Sequence, residues 1–288
     1  MVKRWAIIAF PIFFIFAFTS NLRAADENAQ KTPQPAAEDK ATEMSKKVED
    51  PLSGLILMPL EYSYTGSVGP IDKSAQQLII EPTFPIDITD KWKILTHTLI
   101  PIVSLPQLGD DRPSSGLSNI MFSALLAKKS ESKLTWGIGG GVMFPTASNT
   151  DPVSWTNTPT GYDCWALGPS VVGVFKSGNW VTGALVNQMW RISGESNLNM
   201  MQIQAFAFYN LGQGYSISSM PLISVDWTKK SSQSTLIPLG LMVGKLFMIG
   251  GVFPLGLSLG TYYNIVKPDD APQSTIRGEL FFVLPEVW

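Results

Sequence analysis

Ser274-Thr275-Ile276-Arg277-Gly278-Glu279-Leu280-Phe281-Phe282-Val283-Leu284 lies near the end of a 288-residue chain, and its reading decides the fold. With period two, Ile276, Leu280, Phe282 and Leu284 share one face with Gly278, while Arg277 and Glu279 share the other with Phe281 and Val283. The first face suits lipid and the second can meet water. A soluble sheet explains such alternation once. It does not explain recurrence at strand length through most of the chain, which is the pattern of a transmembrane barrel. A barrel closes only if its last strand pairs with its first, so the segment starting near Leu55 is the required partner.

Working back from this strand, alternating segments are expected at 55–65, 75–87, 91–104, 116–128, 133–145, 163–175, 179–192, 199–211, 215–228, 233–244, 252–266 and 274–284. Twelve is an even number, as bacterial single-chain barrels require, and no amphipathic helical pattern interrupts the series. The connections alternate too. Those at 66–74, 105–115, 146–162, 193–198, 229–232 and 267–273 are mostly longer than those at 88–90, 129–132, 176–178, 212–214 and 245–251, with 229–232 and 245–251 as exceptions. Long outer loops with short inner turns belong to a membrane barrel, and a soluble β-sandwich has no reason to keep them. The expected fold is therefore all-β, an antiparallel up-and-down transmembrane β-barrel of about twelve strands spanning residues 51–288.

The N-terminus carries Lys3 and Arg4, an apolar run from Trp5 to Phe18 broken by Pro11, and then Leu22-Arg23-Ala24-Ala25. That layout predicts a cleaved secretory signal, residues 1–24, and the run is shorter than a spanning helix needs. Residues 25–50 are polar and Ala-rich, with Pro33 and Pro35 and no aromatic residue, so they read as a disordered periplasmic linker in which 41–48 has some helical character. The whole chain is 45% hydrophobic and only 15% charged, against about 25% charged for a typical soluble domain, so outer-membrane lipid is expected to cover part of the surface. A net charge of −2 implies no nucleic-acid partner. Trp92, Trp136, Trp165, Trp180, Trp190 and Trp227 all lie near strand ends, where aromatic girdles form.

Catalytic chemistry is poorly supplied. With one histidine, His97, one cysteine, Cys164, and no cluster of either, neither a typical zinc site nor a convincing Cys/His nucleophile pair can be assembled, and no Gly-x-Ser-x-Gly elbow occurs. The glycines from Gly137 to Gly141 lack the Lys-Ser/Thr ending of a phosphate loop. No cofactor or metal is expected, and the interest falls on the lumen. Strand parity places Glu61, Glu81, His97, Asn119, Asp226, Arg277 and Glu279 on inward faces, with Arg191 alongside them. A basic residue facing lipid at mid-depth costs roughly 2–4 kcal/mol, so inward is the cheaper orientation. Two readings follow. Either these groups pair across a narrow, plugged lumen in a structural or surface-interaction barrel, or they line a path for a small-molecule solute. In the second reading Gly137, Gly139, Gly256, Ser258, Gly260, Ser216 and Ser218 leave room, and Met121, Met143, Phe206, Phe208 and Tyr262 favour an apolar or aromatic guest.

Several stretches carry a resemblance to a known family. They are Glu81-Pro82-Thr83-Phe84-Pro85-Ile86, Trp92 to Pro101, Ser115-Gly116-Leu117-Ser118-Asn119-Ile120, Trp136 to Ala147, and Gly178-Asn179-Trp180-Val181-Thr182-Gly183-Ala184-Leu185-Val186-Asn187-Gln188-Met189-Trp190. In this order they resemble the bacterial outer-membrane proteins grouped as putative meta-pathway phenol-degradation proteins, some labelled neuromedin U. The resemblance covers about residue 51 to the C-terminus and implies an outer-membrane barrel, with transport of small compounds, aromatic ones among them, proposed from where some members' genes lie. Members often have Asp where Asn119 stands here. The spacing of Gly278, Phe281 and Val283 also resembles the C-terminal signal read by the barrel-assembly machinery, although this chain continues to Pro285-Glu286-Val287-Trp288.

Overall fold

The computed structural model describes residues 35–68, 73–107, 110–130, 132–148, 161–269 and 271–284. The expected signal, and the linker before residue 35, lie outside them. From Glu38 onward the described residues form one compact unit. Its strands combine into twelve staves. β1 is Ile56–Val68, β2 comprises Lys73–Ile80 and Thr83–Asp87, β3 is Trp92–Gln107, and β4 comprises Asp110–Leu117 and Met121–Lys128. Then come β5 (Leu134–Met143), β6 (Cys164–Ser177), β7 (Trp180–Gly194) and β8 (Asn199–Gly212). β9 comprises Tyr215–Ser219 and Leu222–Asp226, and β10 (Thr235–Ile249), β11 (Phe253–Val266) and β12 (Ser274–Leu284) complete the wall.

Every stave pairs antiparallel with its neighbours in sequence, and β1 pairs with β12 from Ile56↔Leu284 to Thr65↔Thr275. The barrel is closed, so no row of backbone donors and acceptors faces lipid unpaired. In β6 the burial alternates residue by residue: Cys164, Ala166, Ser170, Val172 and Val174 are buried, whereas Trp165, Leu167, Val171 and Phe175 are exposed. The exposed side chains are apolar, which is the inverse of a soluble sheet and the mark of an outer band made for lipid. The six tryptophans fall into two groups, Trp92, Trp136 and Trp180 near the end that holds Ile56 and Leu284 (the terminal end), and Trp165, Trp190 and Trp227 near the opposite (loop) end. Lys245, on the outer face near the terminal end, donates to the Tyr215 hydroxyl at 2.8 Å and lies 4.1 Å from the centre of its ring. Its stem covers apolar surface while the ammonium keeps a polar partner.

Some connections differ from expectation. β10 runs on to Ile249 because Leu246 and Met248 continue its inward face against the N-terminal segment, so the expected seven-residue connection shrinks to a turn at 250–252. The connection after β9 is longer than expected and spans 227–234. Conversely, β1 reaches Val68 and β3 reaches Gln107, so the expected loops at 66–74 and 105–115 are largely strand. At the terminal end, Gln213 (φ 56°) and Gly214 (φ 76°) form a two-residue hairpin turn in which both residues adopt left-handed backbone, matching the twist of β8 and β9. Prolines leave the inward parity intact at Glu81/Thr83 and at Pro59. At Pro238 the register shifts, and a bulge absorbs the missing donor.

A second correction concerns the linker. Pro35–Val48 is a helix, α1, and from its last turn to Leu52 the chain enters the terminal end of the barrel. Ser45, Val48, Glu49, Asp50 and Leu52 are all buried. The expectation of disorder fails here because three apolar side chains find a ready-made apolar wall: Met44 and Val48 meet Leu57, Leu246, Phe281 and Val283, and Leu52 joins Leu95, Leu125 and Val172.

Candidate functional site

The lumen is layered. Toward the terminal end lie Leu95, Leu125, Val172, Val174, Val181 and Leu185 with Phe206 and Phe208 against them, and toward the loop end lie Met121, Met143, Cys164, Met189 and Leu198. Between these apolar layers runs a polar belt. On one side β12, β1, β2 and β3 supply Arg277, Glu279, Glu61, Glu81 and His97, each from an inward position of its strand. Facing them across the lumen, β8 supplies Gln204. Another polar group is fully internal: Ser170 Oγ donates to Asn187 Oδ1 at 2.5 Å, and Ser123 Oγ donates to the same atom at 3.4 Å.

The belt bridges the barrel in two places. Glu81 Oε2 lies 3.4 Å from His97 Nε2 and accepts from Gln204 Nε2 at 3.4 Å, which links β2 to a stave on the opposite wall. Arg277 Nε lies 3.1 Å from Glu61 Oε1 as an ion pair rather than an aligned hydrogen bond, and its NH1 donates to the Met220 carbonyl at 2.8 Å. The Arg277 guanidinium carbon sits 4.4 Å from the centre of the Tyr262 ring, and the Tyr262 hydroxyl accepts the Met220 backbone N–H at 2.8 Å. Because Met220 precedes Pro221, where β9 is interrupted, its carbonyl and amide are free of ladder partners and these two side chains take them.

A cavity of about 270 Å³ occupies the lumen, lined by apolar groups that include Leu99, Met121, Met143, Met200, Phe206 and Phe208 together with the belt residues. Its floor at the terminal end is Val48, Glu49 and Pro51. The N-terminal segment is pinned there by polar contacts to three staves and one turn. Asp50 pairs with Lys176 at 2.7 Å, Lys93 Nζ donates to the Leu52 carbonyl, Asn210 Nδ2 donates to Glu49 Oε2 at 2.6 Å, and Lys46 Nζ reaches Asn179 Oδ1 at 3.2 Å. Burial is the main influence on the Glu49 carboxyl and pushes its pKa up to about 7, against the smaller opposing effects of Asn210, Ser45, Ser216 and Lys46.

Of the residues singled out in the sequence, Glu61, Glu81, His97, Asn119, Arg277 and Glu279 line this cavity. Asn119 braces the wall as well. Its Nδ2 donates to the Phe144 and Tyr162 carbonyls at 2.7 and 2.9 Å, and its Oδ1 accepts the Tyr162 N–H, which ties the gap in β4 to the residues just before β6. Two of the expected lumen residues do not line this cavity, although Asp226 keeps its inward position opposite Met200 on β8. Arg191 is exposed near the loop end, where a register shift in the β6–β7 ladder at Trp165/Ala166 disturbs parity and its NH1 donates to the Gly194 carbonyl at 3.1 Å. Asp226 Oδ1 accepts from Thr228 N and Oγ1 at 2.9 and 2.6 Å, so it shapes the turn after β9. The glycines do not leave room for a guest either. A Cβ on Gly256 would meet the Phe281 ring at 1.9 Å, and one on Gly139 would meet the Ala124 carbonyl oxygen at 1.8 Å, so both positions are filled by neighbouring groups. Sequence reasoning also missed Gln204, Met220 and the floor residues. Gln204 shares its inward parity with Phe206 and Phe208 and was legible to that extent.

No protein-family model matches the chain, and no curated protein matches it in sequence. Its fold is similar to that of an outer membrane channel from Pseudomonas putida F1, with a TM-score of 0.59 and 14% identity over 80% of this chain and 96% of that one. It is also similar to the NanC porin, with a TM-score of 0.51 and 9% identity over 79% of this chain and 100% of that one. Closure, an apolar outer band and these likenesses define the class: a β-barrel of the bacterial outer membrane, with the fold of its channels and porins.

Proposed function

We propose that the barrel is a channel or facilitator for small hydrophobic or aromatic molecules, gated by its own N-terminal segment. The observation that carries this reading is the apolar-walled cavity of about 270 Å³, open to the polar belt and floored by Val48, Glu49 and Pro51. A dry cavity of ~150 Å³ accepts a benzene ring, so this one has the volume for a one-ring compound with substituents. The sequence resemblance to the phenol meta-pathway group supports the same solute class. In this reading export uses the N-terminal signal, the assembly machinery inserts the barrel, residues 51–288 are the conducting unit and the terminal end faces the periplasm. No cofactor is needed and no catalytic role is assigned to the belt.

A second reading has its own support. The links between Glu81 and Gln204 and from Arg277 to Met220 span the lumen, as they would in a barrel whose interior is only structural. Uptake by liposomes containing the refolded full chain separates the two, with small aromatic compounds, sugars and ions compared against empty liposomes. Faster entry of the aromatic compounds alone is expected. Equal entry of all three means a general pore. No entry, from protein whose heat-dependent gel mobility reports a folded barrel, overturns transport and leaves the plugged barrel.

A further inference from the structure

We infer that the guest preferred by this cavity is an apolar or aromatic molecule bearing one positive charge, an organic amine or ammonium, with Glu279 as its counter-ion. The inference rests on the cavity being a solute site and adds the charge of the solute. Four carboxylates line the cavity, Glu49, Glu61, Glu81 and Glu279, against one guanidinium and one imidazole. Three of the four are engaged: Glu49 accepts from Ser45 and Asn210, Glu61 has Arg277 and Ser63, and Glu81 has His97 and Gln204. Glu279 makes no hydrogen bond or ion pair among the described residues, although it faces inward directly opposite Glu61 on the neighbouring strand. Like charges placed opposite each other on paired strands repel. Arg277 does not resolve this, because its guanidinium is already held by Glu61, the Met220 carbonyl and the Tyr262 ring. One negative charge, or the proton that neutralises it, is therefore left for a guest to match.

The nature of the cation follows from the rest of the wall. A hard metal ion wants six or more oxygen ligands, and among the described residues no group of three or more His, Cys, Asp and Glu side chains could hold one. An organic ammonium needs one carboxylate and benefits from aromatic faces, which Phe206 and Phe208 provide beside adaptable methionines. A carboxylate-bearing guest would bring a fifth carboxyl group against one guanidinium.

The test uses the refolded full chain in a non-ionic detergent, titrated calorimetrically with three probes of similar size: 2-phenylethylamine, 2-phenylethanol and phenylacetate. The amine is expected to bind at least tenfold more tightly than the alcohol, with phenylacetate weakest. In Glu279→Gln the amine's advantage over the alcohol is expected to fall below twofold, in a protein that keeps its heat-dependent mobility. The wild-type ranking is decisive even if that variant fails to fold, since equal or tighter binding of alcohol or phenylacetate overturns the inference. An amine preference that survives Glu279→Gln overturns the role of Glu279. Entry of the same probes into liposomes is scored separately. Amine binding without entry of any probe overturns transport but not the cation preference, whereas equal entry with no preference in binding does the reverse.

Discussion

Arg277 serves more neighbours than one guanidinium usually does: Glu61, a carbonyl across the lumen and an aromatic face, with Glu279 two residues along its own strand. With side chains of Arg277 and Glu61 each only 12% exposed, removal of the cation leaves two inward carboxylates facing each other without a counter-charge. Breaking a buried pair from one side costs about 3–5 kcal/mol, so Arg277→Met is expected to lower stability by that order. Adding Glu61→Gln to Arg277→Met is expected to restore part of the loss. Urea titration followed by tryptophan fluorescence gives the coupling, and strictly additive losses would show that the pair does not act as a unit. Which residues face inward was legible from parity alone for Glu61, Glu81, His97, Arg277 and Glu279. Their partners were not, because Gln204 lies 123 residues from Glu81 and Met220 lies 57 from Arg277, and only closure of the barrel brings them together.

The element that sequence reading misjudged is α1 with the segment that follows it. Its apolar residues are few, and a segment of that composition has no core of its own to join. What orders it is the barrel, through Lys93, Lys176 and Asn210 on three different staves and Asn179 in the β6–β7 turn, and no local pattern encodes that convergence. The strands, by contrast, carry their signal locally, as alternation. Docking of the segment should depend on pH through Glu49. Its carboxyl titrates near pH 4.5 when solvated and near 7 when docked, so the docked state holds the proton more tightly. Docking is therefore fully favoured below about pH 4.5 and loses on the order of 3 kcal/mol as pH rises to about 7. The charged groups around it are Lys46 on the same helix and the Asp50–Lys176 pair beyond it. Tryptic cleavage at Lys46 and Lys47 in the intact barrel is expected to accelerate from pH 5 to pH 8 beyond the change in the enzyme's own rate on an unstructured peptide. In Glu49→Gln, which cannot ionise, that excess should vanish. An equal excess in wild type and variant would assign the pH response to another group.

At the scale of the whole molecule the decisive event is the meeting of β1 and β12, since without it every other ladder ends at an open edge. Alternation on those two strands fixed which faces would meet lipid, and it left the register open by two-residue steps, each of which preserves the faces. The observed register sets Glu61 opposite Glu279 and Ser63 opposite Arg277, so the charge arrangement of the belt depends on it. A slip of two residues would place Arg277 opposite Glu61 and move Glu279 opposite Pro59, which would carry Glu279 away from the other carboxylate. Register is therefore a functional variable here, and it can be read chemically. Leu60 and Leu280 are outward-facing partners, and directly opposed residues on antiparallel strands lie about 4.5–5.5 Å apart at Cα, within the range a disulfide spans. The double variant Leu60→Cys/Leu280→Cys is expected to form an intramolecular disulfide on mild oxidation in the folded state. Met58→Cys/Leu280→Cys, outward positions that meet only after that two-residue slip, is expected to cross-link far more slowly. The single native cysteine, Cys164, is buried on the inward face of β6 and stays out of the reaction. A non-reducing gel with and without prior heating reads both outcomes, and preferential cross-linking of the second pair would mean that the strands close in the shifted register and that the opposition of Glu61 and Glu279 does not exist.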